Sequence, residues 1–572
     1  MLVVLATVCT ARADIYQWEF IDPSNPSQGR QLSAKLAPDG AGLFAAPGAN
    51  LTRKNLTKAY LNGAKLENSF AFLSNFTEAD FTRSTLSGAN FLGATLSGAE
   101  FTDADVSQAN LSLYHEPISF IVAGAANDQR SRFYLTYGTG VTLSQLYSTA
   151  SYRARALRGI GLSLNELDGG NFAAQDLTNA DFVGATLLDA NFAGAVVTGA
   201  QFSRYRSDVL GLAGTGISLE QIYSTTSYGK RDLHGIGLSF HDLVGGYFSG
   251  QGLHQANLTY TNLSNAELSQ ANLTGANLYG AHLDSVSLAH ATLTDANLNG
   301  ADLTNTDFSD AVIQGANFSR AVSCNDLCYT LSKGISLPQL YSTASYKAGN
   351  LSGIGFDFHD LSGANLAGKN LTNANFSAVT LTSANLNAAD ARGALALELP
   401  SSATVENLIR PDGRIDGLRL ATGHLLTVRD YDGDLRYASA RPPVPIVVNE
   451  EFTCDPASTL RMEFEADDWD STISFAPEIP VALGGTLQLT FANGVNPAEH
   501  IGRTFHLFDW TGVNPVGAFS VDSDYRWDFS HFYDAGEVTL IAVPEPNVML
   551  PMLLPVAALV AIGRTRPSAL SH

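Results

Sequence analysis

The residues best suited to chemistry in this chain are two His-Asp pairs, His241-Asp242 and His359-Asp360. A histidine beside a carboxylate is the raw material of general acid–base catalysis. The equivalent position in a third stretch holds Asn165-Glu166. A dyad that is duplicated and then replaced reads as outward-facing polar decoration. Asp430, Asp432 and Asp434 around Gly433 look like half of a calcium loop, but the bidentate Glu that closes such a loop is replaced by Arg441. A tight Asp-Gly turn between strands accounts for them. Asp467, Asp468 and Asp470 flank Trp469, where calcium or a sugar is the alternative to a solvated acidic loop. Of four cysteines, Cys9 lies near the start, Cys454 stands alone, and Cys324 and Cys328 are four apart. A Cys324–Cys328 disulfide and two free thiols are equally open, and zinc lacks a second Cys or His pair nearby. No nucleophile elbow, metal motif or phosphate loop is present. The expectation is no catalytic residue, no metal and no cofactor.

The elements that must position these residues follow a five-residue beat. Leu51, Leu56, Leu61, Leu66, Phe76, Phe81, Leu86, Phe91, Leu96, Phe101, Val106 and Leu111 keep it, with Ala71 the one small member. The beat recurs from Leu157 to Phe202, from Leu233 to Phe318 and from Leu351 to Leu386, fading at Ala391. Five is neither the helical period nor the strand period, so a stacked repeat is required. Two places before each large residue of the first block sits a small one, as at Ala59, Ala79 and Ser84, with Lys54 an exception. Two places after it glycine is frequent, as at Gly63 and Gly88, which suits a corner needing positive φ.

The unit Ala271-Asn272-Leu273-Thr274-Gly275 resembles the A-(D/N)-L-x-x motif of the pentapeptide-repeat family, and the resemblance covers most of residues 49–392. It implies an all-β fold, a right-handed quadrilateral parallel β-helix in which each five-residue unit forms one side of a square coil. Leu258, Leu263, Leu268, Leu273 and Leu278 then stack in a dry repeat core, and the rod offers long flat surfaces rather than a pocket. Parallel β-helices include polysaccharide lyases and hydrolases, whose sites need carboxylates clustered on adjacent coils. Here Asp181, Asp189, Asp295, Asp302 and Asp307 are scattered, and Asp302 and Asp307 belong to adjacent sides. The protein is not expected to be an enzyme.

A longer repeat punctuates the rod. Thr142 to Tyr147, Ser218 to Tyr223 and Ser336 to Tyr341 each open with S/T-x-x-Q, a helix capping box, and continue to a second tyrosine at Tyr152, Tyr228 and Tyr346. A short helix of about 10 residues is predicted at each site. The tyrosines are expected to pack on the rod rather than form an aromatic ligand strip. Residues 14–48 should cap the N-terminal end, and residues 393–445 should form a C-terminal cap (Leu395 to Val428) and a Pro-rich linker, Arg441-Pro442-Pro443-Val444-Pro445. Residues 446–542 lose the beat and alternate like short strands, as in Leu487-Gln488-Leu489-Thr490-Phe491, which predicts a β-sandwich or jelly roll.

Both ends read as addresses. Residues 1–13 form a short apolar run ending in Ala11-Arg12-Ala13, a signal-peptide pattern without a basic n-region. Residues 543–572 run Val543-Pro544-Glu545-Pro546, an apolar segment from Val548 to Ile562, then Arg564 and Arg566. This order resembles the PEP-CTERM sorting signal of exported bacterial proteins. The resemblance implies an exosortase-type processing protease as partner, transient membrane anchoring through the C-terminal segment, and delivery to the cell surface or an extracellular matrix. A simple C-terminal anchor is the alternative.

The net charge is −22, and the acidity is densest outside the repeats: residues 1–400 carry 32 acidic and 22 basic side chains, residues 401–572 carry 23 and 11. Nucleic acid is excluded as a partner, since it needs a basic face. The expected function is an exported, non-catalytic structural or adhesion protein of the cell surface or exopolysaccharide matrix. Carbohydrate binding by the C-terminal β domain through Trp469, Trp510 or Trp527 is the alternative. A DNA mimic acting on a topoisomerase fits less well, because the rod is only mildly acidic.

Overall fold

The computed structural model describes residues 14–120, 131–207, 211–320, 322–324, 328–330, 333–431, 444–465, 469–492 and 494–544. Within the repeats, each residue preceding a large core residue bridges in parallel to the residue one coil further on, as in Asn257, Asn277, Asn297 and Asn317. The Leu273 N–H donates to the Thr292 carbonyl at 2.7 Å and the Asn272 N–H to that of Gln251 at 2.9 Å, so each rung is bonded to the coils before and after it. Leu258, Leu263, Leu268, Leu273 and Leu278 are buried, as are the small residues two places before the beat, Ala59, Ala79 and Ser84 among them. The residue two places after the beat turns the corner in the left-handed region, whether it is glycine (Gly63, φ 67°) or not (Asn265, φ 60°).

One side of the square is unbroken. Its ladder runs from Asn50 through Asn110, Gly161, Gln201, Gly237, Asn317 and Gly355 to Leu395, crossing all three interruptions, so the four repeat blocks form one rod with one core. With fifteen rungs on that side and a strand spacing near 4.8 Å, the rod is on the order of 70 Å long.

The N-terminal hairpin of β1 (Asp14–Phe20) and β2 (Arg30–Ala41) is antiparallel, and β1 lies along the first coil at Ala59. Each interruption leaves the rod at the same corner, just after the unbroken side. It begins with a hairpin: β3 (Tyr114–Phe120) with β4 (Ser131–Tyr137), β5 (Tyr205–Ser207) with β6 (Gly211–Ala213), and β7 (Val322–Cys324) with β8 (Cys328–Thr330). These hairpins have no counterpart in the sequence reading. Two short helices follow each: α1 (Leu143–Ser148) and α2 (Ala150–Arg153), α3 (Leu219–Ser224) and α4 (Thr226–Gly229), α5 (Leu337–Ser342) and α6 (Ala344–Lys347). Each predicted helix is therefore two, broken where Thr149, Thr225 or Thr343 takes extended backbone and caps the second with its side chain.

The predicted β-sandwich is corrected by the strand register, which is parallel. β9 (Arg414–Ile415), β10 (Leu418–Leu420) and β11 (Leu425–Arg429) form a first coil. β12 (Ile446–Val448), β13 (Phe452–Cys454) and β14 (Thr459–Phe464) form a second, and β15 (Ile473–Phe475), β16 (Val481–Leu483) and β17 (Thr486–Phe491) a third. Strands three apart in this order pair with one another, giving three parallel sheets and a second, three-sided solenoid. After β18 (Thr504–His506) the chain adds β19 (Val516–Gly517) and β20 (Ser520–Asp522) to two of the sheets. β18 pairs antiparallel with β22 (Glu537–Ala542), which also pairs with β21 (Arg526–Asp528), and α7 (Phe532–Ala535) precedes β22. The physical reason for the miss is that alternating burial marks a strand without marking its neighbour. Of the stretch expected to cap the rod, residues 395–409 do pair with its last coil, through Leu395, Thr404 and Ile409, whereas β9 to β11 form the first coil of the second solenoid. Residues 441–443 of the expected linker, and residues 432–440 before them, lie outside the described residues.

Candidate functional site

The interrupted sides gather the capping-box residues, the paired tyrosines and the two histidines singled out above. In each first helix the capping box forms: the Gln145 N–H donates to Thr142 Oγ1 at 3.2 Å and the Thr142 N–H to Gln145 Oε1 at 2.8 Å. The same glutamine reaches the coil before it, donating to the Leu96 and Ala99 carbonyls. Gln221 and Gln339 do likewise. The glutamine thus replaces ladder bonds that the helix cannot make.

The tyrosines complete the repair on the other side. Asn171 bridges to Asn191 on the following coil, but on the preceding coil the helix replaces its partner; its N–H donates to the Tyr147 hydroxyl at 2.7 Å, and the Tyr152 hydroxyl donates to its carbonyl at 2.7 Å. Tyr223 and Tyr228 do the same for Tyr247, and Tyr341 and Tyr346 for Asn365. Within each pair the rings lie 4.6–4.8 Å apart. The tyrosine strip is therefore a backbone surrogate rather than a ligand platform.

His241 and His359 correct an expectation. They are buried, not outward, and occupy the inward small-residue position of the beat, as does Asn165. The Val141 N–H donates to Asn165 Oδ1 at 2.8 Å, and the Ile217 N–H to His241 Nε2 at 3.1 Å. His241 Nδ1 faces the Ser239 carbonyl at 3.2 Å, so the neutral ring donates there. Burial pushes the His241 imidazole down to about 4 and lowers that of His359 as well. Asp242 and Asp360 point to solvent, because successive residues on a coil side face opposite ways. No dyad forms. A groove of about 640 Å³ lies over His241, lined also by Asp189, Arg204, Glu220, Gln221 and Asp242, and one of about 430 Å³ lies beside Gln145.

The remaining acids divide by position. Asp181, Asp302 and Asp307 each accept from the N–H two residues on, and Thr304 is the largest cause of the lowered Asp302 carboxyl. Asp189 and Asp295 sit at left-handed corners. Asp430 is buried and accepts from the N–H groups of Tyr431 and Asp470, bringing the two acidic loops together. Asp432, Asp434, Asp467 and Asp468 lie outside the described residues. Among the described residues no cluster of three or more His, Cys, Asp or Glu could hold a metal ion. Cys324 is register-paired with Cys328 across β7 and β8, while their side chains lie outside the described set. Cys454 is a buried free thiol, pushed up to about 12.

The three tryptophans do not form a binding face. Trp510 and Trp527 are buried, donating from Nε1 to the Phe532 carbonyl and to Ser523 Oγ, and Trp469 packs on Phe464. Of the sorting segment, Val543 and Pro544 are described, Val543 packing on the second core. Glu545, Pro546, Arg564 and Arg566 lie outside the described residues, as do residues 1–13. No described helix is long and apolar enough to cross a membrane.

Two clusters were missed in the sequence. Asp390 and Arg392 form a fully buried ion pair where rod meets second solenoid. The guanidinium also donates to Ser471 Oγ and to the Arg429 carbonyl, both at 2.8 Å. Arg392 follows the core residue Ala391 and so faces outward from the rod, and Ser471, Arg429 and Tyr431 of the second solenoid bury it. His234 and His254 stack at 4.9 Å, with Asp232 Oδ1 2.7 Å from His234 Nδ1. Their spacing of one coil was the clue.

A stack of short coils whose outward polar groups serve their own turns defines a class: a repeat-built parallel β-solenoid. Residues 74–112, 167–204, 253–288, 287–322 and 360–395 match the family model described as pentapeptide repeats, in eight copies. The rod is thus built of pentapeptide repeats. Among solved structures, QnrB1, a plasmid-mediated fluoroquinolone resistance protein, is similar in a trypsin-treated form at 14% identity, covering 42% of this chain and 90% of its own, with a TM-score of 0.20. HetL, a pentapeptide repeat protein involved in heterocyst differentiation regulation from the cyanobacterium Nostoc sp. strain PCC 7120, is 19% identical over 64% of this chain and 89% of its own, with a TM-score of 0.12. No curated protein matches the chain.

Proposed function

We propose that this protein is an exported, non-catalytic structural rod of the cell surface or extracellular matrix, sorted through residues 543–572 by an exosortase-type protease. The observation that carries the non-catalytic reading is the fate of its polar groups. His241 and Asn165 bind backbone N–H groups, the tyrosine hydroxyls bind backbone, and Asp181, Asp302 and Asp307 cap turns. A reactive histidine needs a free ring nitrogen at the surface. The export reading rests on the two ends of the sequence.

Mass spectrometry of the mature protein's termini tests it. Cleavage near Ala13 and trimming near Pro544 are expected, with the protein in the envelope or medium. A full-length chain recovered from the cytoplasm overturns the reading. Carbohydrate binding by the second solenoid has lost Trp510 and Trp527 to the core, which leaves the half-buried Trp469 as its stacking residue. The DNA-mimic reading needs a continuous acidic face, whereas the first coil of the rod carries Arg53, Lys54, Lys58 and Lys65 against Glu67.

A further inference from the structure

The three interruptions are built alike, and they differ at the residue that fastens each to the rod. In every copy a glycine at positive φ (Gly140, Gly216 or Gly334) presses on the inward residue of the coil that follows the helices. A Cβ there would come within 2.1–2.2 Å of Asn165 Oδ1, His241 Nε2 or His359 Nε2, so only glycine fits. The three inward residues are sealed, at 2–4% exposure. Asn165 fastens the first interruption with an amide, which accepts and donates at once. Its Oδ1 accepts from the Val141 N–H, and its Nδ2 donates to the Leu111 and Ser163 carbonyls at 3.2 Å. That connection carries no titratable proton.

His241 makes the same connection with a ring that can change its charge. Its Nε2 accepts from the Ile217 N–H and its Nδ1 donates to the Ser239 carbonyl, so the neutral ring is fully committed. A second proton has to sit on Nε2, where it meets the Ile217 N–H donor against donor. His359 Nδ1 lies 2.9 Å from the Phe356 carbonyl, and its buried Nε2 has no hydrogen-bond partner, so a proton added there is unpaired. Burial is the largest cause disfavouring the charged ring at both places. Arg204 adds to it at His241 and Arg320 at His359, where Asp357 opposes it. The Asp189, Glu220 and Asp242 carboxylates line the groove over His241, and Lys333 and Asp360 adjoin Gly334 and His359 in sequence.

We propose that the second and third interruptions are acid-released latches, in which protonation of His241 or His359 frees the helix pair docked on it, while Asn165 holds the first interruption closed. Release at the second interruption bares what its helices cover. The Leu187 and Ala190 carbonyls lose Gln221, and the Tyr247 backbone loses Tyr223 and Tyr228. Acid thus turns a closed stretch of rod side into an open edge. The direction follows from linkage. The open state has an ordinary imidazole and the closed state one at about 4, so between 6.5 and about 4 the open state binds the extra proton. The latch is fully closed above that window and loosens as pH falls through it. This goes beyond the extracellular-rod reading and does not depend on export.

Hydrogen–deuterium exchange of the full chain tests the inference, read by mass spectrometry at about pH 7 and about pH 4 with labelling times scaled to the intrinsic exchange rates. Residues 217–232 should lose protection roughly a hundredfold at the lower pH. Residues 335–350 should lose less, since Asp357 favours the charged ring of His359, and residues 141–156 should keep theirs. His241→Asn should abolish the loss in the second interruption and leave the third unchanged. Asn165→His should make the first interruption acid-labile; where that variant does not fold, the comparison of wild type with His241→Asn decides. Equal loss of protection in all three interruptions overturns the proposal. So does full protection of residues 217–232 at about pH 4, or an undiminished loss there in His241→Asn.

Discussion

The pentapeptide rod and the second solenoid stack strands in the same parallel manner, yet they do so with different grammars. In the rod, outside its interruptions and last coil, each side is five residues, each corner falls at a fixed position, and the core is a column of mostly Leu, Phe and Ala. In the second solenoid the coils are closed by loops of unequal length, and the core is aromatic: Phe464 touches Trp469, Phe491, Phe505 and Trp527. Uniform units make rod stability a sum over coils, so a local defect is shared by two neighbours. The aromatic cluster is a single cooperative packing problem, with more to lose at one position.

The largest expected effect exploits that contrast. Phe464→Ala should destabilise the second solenoid by about 3–5 kcal/mol, while Leu273→Ala in the rod should fall toward the lower part of a range of about 2–5 kcal/mol. Calorimetry should show the first lowering one transition and the second lowering another; a single transition moved equally by both refutes the separation. Arg392→Ala should also cost about 3–5 kcal/mol, by leaving Asp390 charged and buried. Because its partners come from both regions, both transitions should move, and a shift confined to the rod would show that the junction does not couple them.

Next comes pH. The folded state holds His241 near 4, below the ordinary value of 6.5, so the unfolded chain binds the extra proton between these limits. Its contribution, on the order of 3 kcal/mol, is therefore fully present above pH 6.5 and lost as pH falls toward 4. His241→Asn copies the first interruption, where Asn165 accepts from Val141. Denaturant titrations across pH 4–7 should find that variant less acid-sensitive than wild type, and parallel curves would refute the assignment. The smallest effect belongs to the surrogates: Tyr152→Phe removes one hydroxyl donor to Asn171, worth about 1 kcal/mol. Hydrogen exchange should then rise around Asn171 and leave Asn365 unchanged.

Much of the rod was legible because its period is covalent: spacing along the chain equals spacing around the coil. The Gln and Tyr residues of the interruptions were legible as a repeat, since each copy restores the same lost ladder bonds. The inward direction of His241 and His359 was not, although both sit two places before a beat residue where small side chains are the rule. Only the gap left by the helix makes room for a ring there. Arg392 was hidden for a different reason: it faces outward from the rod, and Ser471 and Arg429 from far along the chain bury it.

The sequence by itself determined the square rod, its corner positions and the sites of its three interruptions, because those depend on local spacing and capping. Tertiary structure alone decided that the blocks share one unbroken side and that β12 to β17 continue as parallel coils. The reason is the same in each case. A strand's own residues encode which face is buried, whereas its partner is settled by what lies alongside once the chain has stacked.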